Sequence, residues 1–162
     1  EPGSGSDVFS IRTRAVRDGD AYVLDGAKMF VTNGPVADVF VLYATIDPSY
    51  AAAGICCFLV DAGTKGLDVR PPIGKMGVKS SPMAEVSLES CRVPAANMLG
   101  KEGRGVPVFH GSMVWERACI LATCVGSMAR QLEECVAYAR ERAQFGNPIG
   151  KYQAVAHRIV HM

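Results

Sequence analysis

From Val114 to Ala139 the sequence reads VWERACILATCVGSMARQLEECVAYA, with apolar residues at Val114, Ala118, Leu121, Val125, Met128, Leu132, Cys135 and Ala139. The steps between them are four, three, four, three, four, three and four. That alternation keeps side chains on one face of a helix with about 3.6 residues per turn. The spacing predicts one long helix with a single apolar stripe of about seven turns. Gly146-Asn147-Pro148 stops it, and Tyr152, Val155, Ile159 and Met162 open a second helical stripe. Two helices joined by a short turn pack antiparallel. Neither stripe finds a partner elsewhere in the chain, so more chain or another subunit is expected to cover them.

Upstream of Gly105 the period is two. Ile11, Thr13 and Ala15 alternate with Arg12 and Arg14 across Ser10 to Ala15. Tyr22-Val23-Leu24 and Met29-Phe30-Val31-Thr32 flank Asp25-Gly26, a tight-turn signal that predicts a hairpin. Further strand-like runs follow at Val39 to Ala44, Ile55 to Val60, Leu67 to Arg70 and Glu85 to Leu88, with Asp47 to Gly54 read as a surface loop. Short strands with no helix between them predict an antiparallel sandwich or barrel. The fold class is therefore α+β in separate segments, β first and helical after about residue 105.

Composition narrows the function. Of 162 residues, 49% are hydrophobic and 20% charged, the balance of a folded globular chain. Lys plus Arg number 17 and Asp plus Glu 16, a net charge of +1. No basic field exists to hold phosphate backbones, and nucleic acid is not an expected partner. The longest apolar runs, such as Ile55 to Val60, fall far short of the roughly 20 residues that cross a bilayer. Six cysteines, at 56, 57, 91, 119, 124 and 135, form no Cys-x-x-Cys pattern. They read as small buried hydrophobes in a reducing compartment, and with no targeting segment visible the cytoplasm is expected. The chain opens without an initiator Met and closes at Met162 within a helical pattern, so it reads as a piece of something longer.

Four places could carry chemistry. Gly3-Ser4-Gly5-Ser6-Asp7 is a glycine-rich segment whose amides could cradle a phosphate, or a plain flexible loop. Phe30 and Thr32, two apart on a strand, could share a face and offer a planar ring a stacking surface and a hydrogen bond; equally, both are ordinary strand residues. Glu116 lies among apolar neighbours near the start of the long helix. A carboxylate at the rim of a buried stripe is desolvated, which suits a general base; the competing reading is a solvated or Arg117-paired surface glutamate. Arg140 to Gly146 combines helix-end cations, an aromatic and a C-terminal glycine, which helix termination alone explains in part. His157 and His161 stand four apart with no third ligand evident, and no metal site is read there.

The order and spacing of these segments carry more than any one of them. Glu1-Pro2-Gly3-Ser4-Gly5-Ser6-Asp7, Gly26-Ala27-Lys28-Met29-Phe30-Val31-Thr32-Asn33-Gly34, Val93-Pro94 with Asn97-Met98-Leu99-Gly100, and Arg140-Glu141-Arg142-Ala143-Gln144-Phe145-Gly146 followed by Tyr152-Gln153-Ala154 together resemble the acyl-CoA dehydrogenase family over essentially the whole chain. The resemblance implies a middle β domain, here residues 1–104 without its first strand. It further implies the start of a C-terminal four-helix bundle, here residues 105–162 as the first helix and part of the second. It implies FAD as cofactor, oxidation of an acyl thioester to the 2,3-enoyl thioester, and assembly as a homo-oligomer, dimer or tetramer. An isolated piece of this kind is expected to be inactive, because the family's site is assembled from several domains and a neighbouring subunit.

By the same resemblance Ser6 lies between flavin and the thioester's pantetheine arm. Phe30-Val31-Thr32 takes the place of a Trp-Ile-Thr segment against the flavin ring, Phe keeping a stacking surface but losing an indole N–H. Arg117 is implied to lie near the thioester. Arg142, Gln144, Phe145 and Gln153 are implied to contact FAD bound by a neighbouring subunit. Most members carry the catalytic base late in the C-terminal domain, whereas a minority carry a Glu immediately before the helix arginine. Glu116-Arg117 matches the minority, and the base is either Glu116 or a glutamate beyond Met162. Trp115-Glu116-Arg117 is also similar to dehydrogenases that take acyl groups from a carrier protein. The expected substrate is thus acyl-CoA or an acyl carrier protein thioester, with an electron-transfer flavoprotein or another acceptor as redox partner. The alternative from a different class is a non-catalytic β or assembly module.

Overall fold

The computed structural model describes residues 1–162 and contains two compact units, residues 1–111 and 112–162. The first is built on six strands: β1 (Arg14–Asp18), β2 (Ala21–Thr32), β3 (Val39–Thr45), β4 (Ile55–Asp61), β5 (Leu67–Val69) and β6 (Met83–Pro94), in the order β4-β3-β1-β2-β6-β5. Every pairing is antiparallel except that of β1 with β3, which meet in parallel at Arg14 and Thr45 alone. The expected sandwich or barrel is corrected to one open sheet. Closure needs a ladder between β4 and β5, and the three residues of β5 pair only with β6.

The spine is the pairing of β2 with β6, which runs from Ala21 opposite Pro94 to Thr32 opposite Met83 with register shifts between Leu24 and Gly26 and between Lys28 and Val31. The first shift falls on Asp25-Gly26, where the sequence predicts a turn. The strand continues instead. Gly26 has φ +152, and a Cβ there would stand 2.6–2.9 Å from atoms of Thr13, so this glycine serves a close approach of backbone. Asp25 Oδ1 accepts the Ser90 amide at 2.6 Å across the irregularity. The true reversal is Gly19-Asp20, with Asp18 opposite Ala21 and Gly19 at φ +61.

Alternation along the strands buries Tyr22, Leu24, Phe40, Leu42, Phe58, Val60, Val86 and Val93 in one core, with the Tyr22 and Phe58 rings 5.2 Å apart. Cys56, Cys57 and Cys91 are buried there, and burial pushes their thiols up, so they stay protonated and act as small apolar residues. Cys119, Cys124 and Cys135 are exposed instead. Beyond β6, residues 95–99 run beside β4. The Leu99 amide donates to the Cys57 carbonyl at 2.8 Å, and Asn97 Nδ2 donates to the Leu59 carbonyl at 3.2 Å.

The single long helix expected from the stripe is two, α1 (Gly105–Cys119) and α2 (Ala122–Glu141). Residues 120–127 read Ile-Leu-Ala-Thr-Cys-Val-Gly-Ser, a run dominated by weak helix formers. The Ser127 hydroxyl also donates back to the Thr123 carbonyl at 2.9 Å, a contact that loosens and bends a helix. The stripe is largely solvent-facing in this chain, with Val114, Leu121, Val125 and Met128 exposed. Gly146 does not cap the helix. It follows Phe145 at the tip of a hairpin joining β7 (Ala143–Gln144) to β8 (Asn147–Pro148), with φ +50 at Phe145 and +75 at Gly146, the two positive angles of a type I′ turn. A third helix, α3 (Gln153–Val160), follows. Cys135, Tyr138 and Ala139 of α2 line one groove together with Val155 and Ile159 of α3.

Gly26→Ala is expected to lower unfolding free energy by about 1–3 kcal/mol, because its methyl group meets Thr13 backbone. Gly63→Ala, where a Cβ meets nothing within 4 Å, should change it by less than about 0.5 kcal/mol. Urea midpoints of the two variants check the contrast.

Candidate functional site

β1 is five residues long and lies between two longer strands. It pairs with β2 only from Ala21 to Asp25 and with β3 only at Thr45. Beyond it, Gly26–Thr32 of β2 and Val39–Ala44 of β3 face each other across an unpaired gap. Both strands line a cavity of about 470 Å³. Val31 and Thr32 line it from β2, Val39, Val41 and Tyr43 from β3, and Ser4 and Gly5 from the opening segment. Val106 and Phe109 on the first turns of α1 complete that wall, with the Phe109 ring edge-on to Tyr43 at 6.0 Å. The lining is apolar with a few hydroxyl and charged groups, the composition of a small-molecule site.

One buried ion pair borders the cavity. Lys28 Nζ donates to Glu1 Oε1 at 2.6 Å and to the Tyr43 carbonyl at 2.6 Å. The two side chains are 13% and 6% exposed. The Glu1 carboxylate also accepts from the Thr13 hydroxyl at 2.6 Å and from the amides of Arg12 and Thr13 at 2.6 and 3.2 Å. Burial alone would raise the Glu1 carboxyl, but Lys28, the Thr13 hydroxyl and the Arg12 amide outweigh it and hold it at about 2. Burial pulls Lys28 below the usual lysine range, with Glu1 opposing it.

The residues singled out from the sequence are distributed. Val31 and Thr32 line the cavity, whereas Ser6 is exposed beside the lining pair Ser4 and Gly5. Phe30 does not share a face with Thr32 as the two-residue spacing predicts. It sits in the second register shift with φ +57, is 63% exposed and is not part of the lining. An irregularity of this kind resets the alternation.

In the second unit, Glu116 and Arg117 are adjacent on α1 and both exposed, so nothing in this chain desolvates Glu116 as a buried stripe would. Arg142, Gln144, Phe145 and Gln153 gather at one exposed knot. The Tyr152 hydroxyl donates to the Gln144 carbonyl at 2.7 Å, the Phe145 and Tyr152 rings meet edge-on at 6.3 Å, and Gln153 opens α3. Sequence reasoning gave no role to Lys28, Glu1, Tyr43 or Phe109. The outward alternation of Val39, Val41 and Tyr43 was a usable signal; the meeting of Lys28 with Glu1, 27 positions apart, had none.

Because the Glu1 carboxyl falls from 4.5 to about 2 on folding, its contribution is full above about pH 4.5 and is lost as pH drops toward 2. The stability gap between the parent and Glu1→Gln should therefore be widest above pH 4.5 and close between 4.5 and 2. Thermal midpoints measured across that range check it.

Two family models match the chain: acyl-CoA dehydrogenase, middle domain, over residues 1–91, and acyl-CoA dehydrogenase, C-terminal domain, over residues 103–162. An L-prolyl peptidyl-carrier-protein dehydrogenase of Pseudomonas fluorescens is 49% identical over 163 residues, covering 100% of this chain and 43% of that protein. A cyclohex-1-ene-1-carbonyl-CoA dehydrogenase of Syntrophus aciditrophicus is 40% identical, covering 100% and 39%. Among solved structures, the prolyl acyl carrier protein oxidase AnaB superposes with a TM-score of 0.90 at 49% identity, over 99% of this chain and 42% of that one. Butyryl-CoA dehydrogenase from Megasphaera elsdenii superposes at 0.92 with 33% identity, over 99% and 42%. The chain thus spans about two-fifths of the length of these relatives.

Proposed function

The chain belongs to the acyl-CoA dehydrogenase family, and from that premise we propose that it carries the central part of an FAD-dependent enzyme oxidising an acyl thioester to its 2,3-enoyl thioester. In this reading residues 1–104 are the middle β domain and 105–162 the start of a four-helix bundle. The exposed stripe of Val114, Leu121, Val125 and Met128 is the face that the rest of the bundle covers in a homo-oligomer. The observation that carries the reading is the cavity beside Val31 and Thr32. An apolar wall with a hydroxyl beside it and a glycine-bearing segment opposite fits a planar, hydrogen-bonding ring system whose polar tail leaves past Ser6.

FAD, when bound, supplies acceptance of the β hydrogen as hydride. The α proton is left to a protein side chain. An α C–H beside a thioester is a very weak acid, so a carboxylate must remove the proton while hydrogen bonds steady the thioester oxygen. We assign the proton to the Glu116 carboxylate and the placing of the thioester to Arg117 beside it. Their exposure in this chain leaves Glu116 available for desolvation by the remainder of the bundle and the substrate. Ser6 orients the pantetheine arm. Arg142, Gln144, Phe145 and Gln153, held together at the hairpin knot, serve the dinucleotide of a neighbouring subunit.

Both acyl-CoA and carrier-bound acyl groups fit this chemistry. The 49% identity to a dehydrogenase named for a prolyl group on a peptidyl carrier protein favours a carrier-bound thioester. An electron-transfer flavoprotein or another acceptor completes the turnover. No helix is long and apolar enough to cross a membrane.

In the full-length protein, anaerobic mixing with an acyl thioester should bleach the flavin. Glu116→Gln should slow that reduction by about 10²–10⁴-fold while FAD content is kept. An unchanged rate removes Glu116 from the role. Failure of every acyl-CoA and acyl carrier to reduce the parent flavin removes the dehydrogenase reading.

A further inference from the structure

We propose that Lys28 is a positioning residue: with Glu1 it ties β2 to β3 and to the opening segment, and sets the spacing at which Ser4 and Gly5 face Thr32 across the cavity. The inference rests on the flavoprotein reading for what the cavity holds, but the brace itself stands on geometry. The β1 ladder ends at Arg14, and next to that end charged side chains link the neighbouring elements. Lys28 Nζ satisfies the Tyr43 carbonyl on β3 from the far side of the gap. The Glu1 carboxylate takes the Arg12 and Thr13 amides just outside the ladder.

The opening segment hangs from the same carboxylate. The Glu1 carbonyl accepts the Ser4 amide at 3.3 Å, and the Ser4 hydroxyl donates to the Asp7 carbonyl at 2.6 Å. The side chain that ties down Glu1 thus also ties down the turn bearing Ser4 and Gly5. Val31 and Thr32 lie three and four residues beyond Lys28 on the same strand. A single ammonium therefore connects β2, β3 and the opening segment, the three elements that line most of the cavity. A buried pair gains little stability over apolar residues of similar volume, so the effect assigned to this one is the fixed geometry it imposes on the three elements.

The test uses the full-length protein and the double variant Glu1→Gln/Lys28→Met. Removing both charges leaves no unpaired ion buried, so the sheet stays folded although the Tyr43 carbonyl loses the Lys28 donor. The thermal midpoint is expected somewhat below that of the parent, with FAD affinity down at least about tenfold and a shifted flavin absorption band. Amide exchange at Arg12 and Thr13 should quicken in the flavin-free proteins. Lys28→Arg, which keeps the charge toward Glu1, should recover part of the affinity. A folded double variant with parental FAD affinity and spectrum overturns the proposal. Unchanged exchange at Arg12 and Thr13 overturns it as well, and needs no flavin. A parent protein that takes up no FAD overturns the flavoprotein reading instead, and the exchange result still decides the brace.

Discussion

The β unit depends on the shortness of β1. Five residues between two strands of twelve and seven cannot complete either ladder. Buried amides and carbonyls are seldom left unpaired. Here the Glu1 carboxylate accepts two amides and the Lys28 ammonium reaches one carbonyl, and the cavity lies beside them. The same constraint explains Gly26, whose missing side chain lets Thr13 lie against β2 on its way into β1.

The helical unit follows a different logic. Its apolar faces are mostly wet, and its internal order is concentrated at one end, where α3 packs on the last turns of α2 and a two-residue hairpin is pinned by Tyr152. The four residues tied to the dinucleotide by family resemblance all fall at this ordered end. The pair Glu116-Arg117 lies on α1, just before the break at Ile120-Leu121. Residues assigned to recognition are thus held by local hydrogen bonds, whereas those assigned to proton transfer await surroundings that the rest of the protein supplies.

Much of this was legible in the residues. The change of period near Gly105 separates strands from helices, because a period of two and one near 3.6 each permit only one secondary structure. The strands at Val39, Ile55 and Leu67 begin where the strand-like runs begin in the sequence. The errors fall where a local signal meets a tertiary constraint. Asp25-Gly26 has turn chemistry, yet the glycine answers to Thr13, far outside any local window. Phe30 and Thr32 have strand spacing, yet a register shift lies between Lys28 and Val31. Arg140 to Gly146 has the look of a capped helix end, and the glycine instead finishes a hairpin. Sheet closure was the least legible, because it depends on how far β5 extends and not on whether it forms.

The contacts of residues 97–99 with β4 bear on how this unit meets other molecules. An open sheet has two edges, and an unsatisfied edge strand invites another chain to add to it. Here the Cys57 and Leu59 carbonyls, two apart and thus on the same side of β4, are both occupied by the Leu99 amide and the Asn97 side chain. The opposite edge is three residues long. Neither margin offers the row of free backbone groups that strand-by-strand aggregation requires. Association is left to side chains and faces, which can be specific and reversible where edge-to-edge growth is neither.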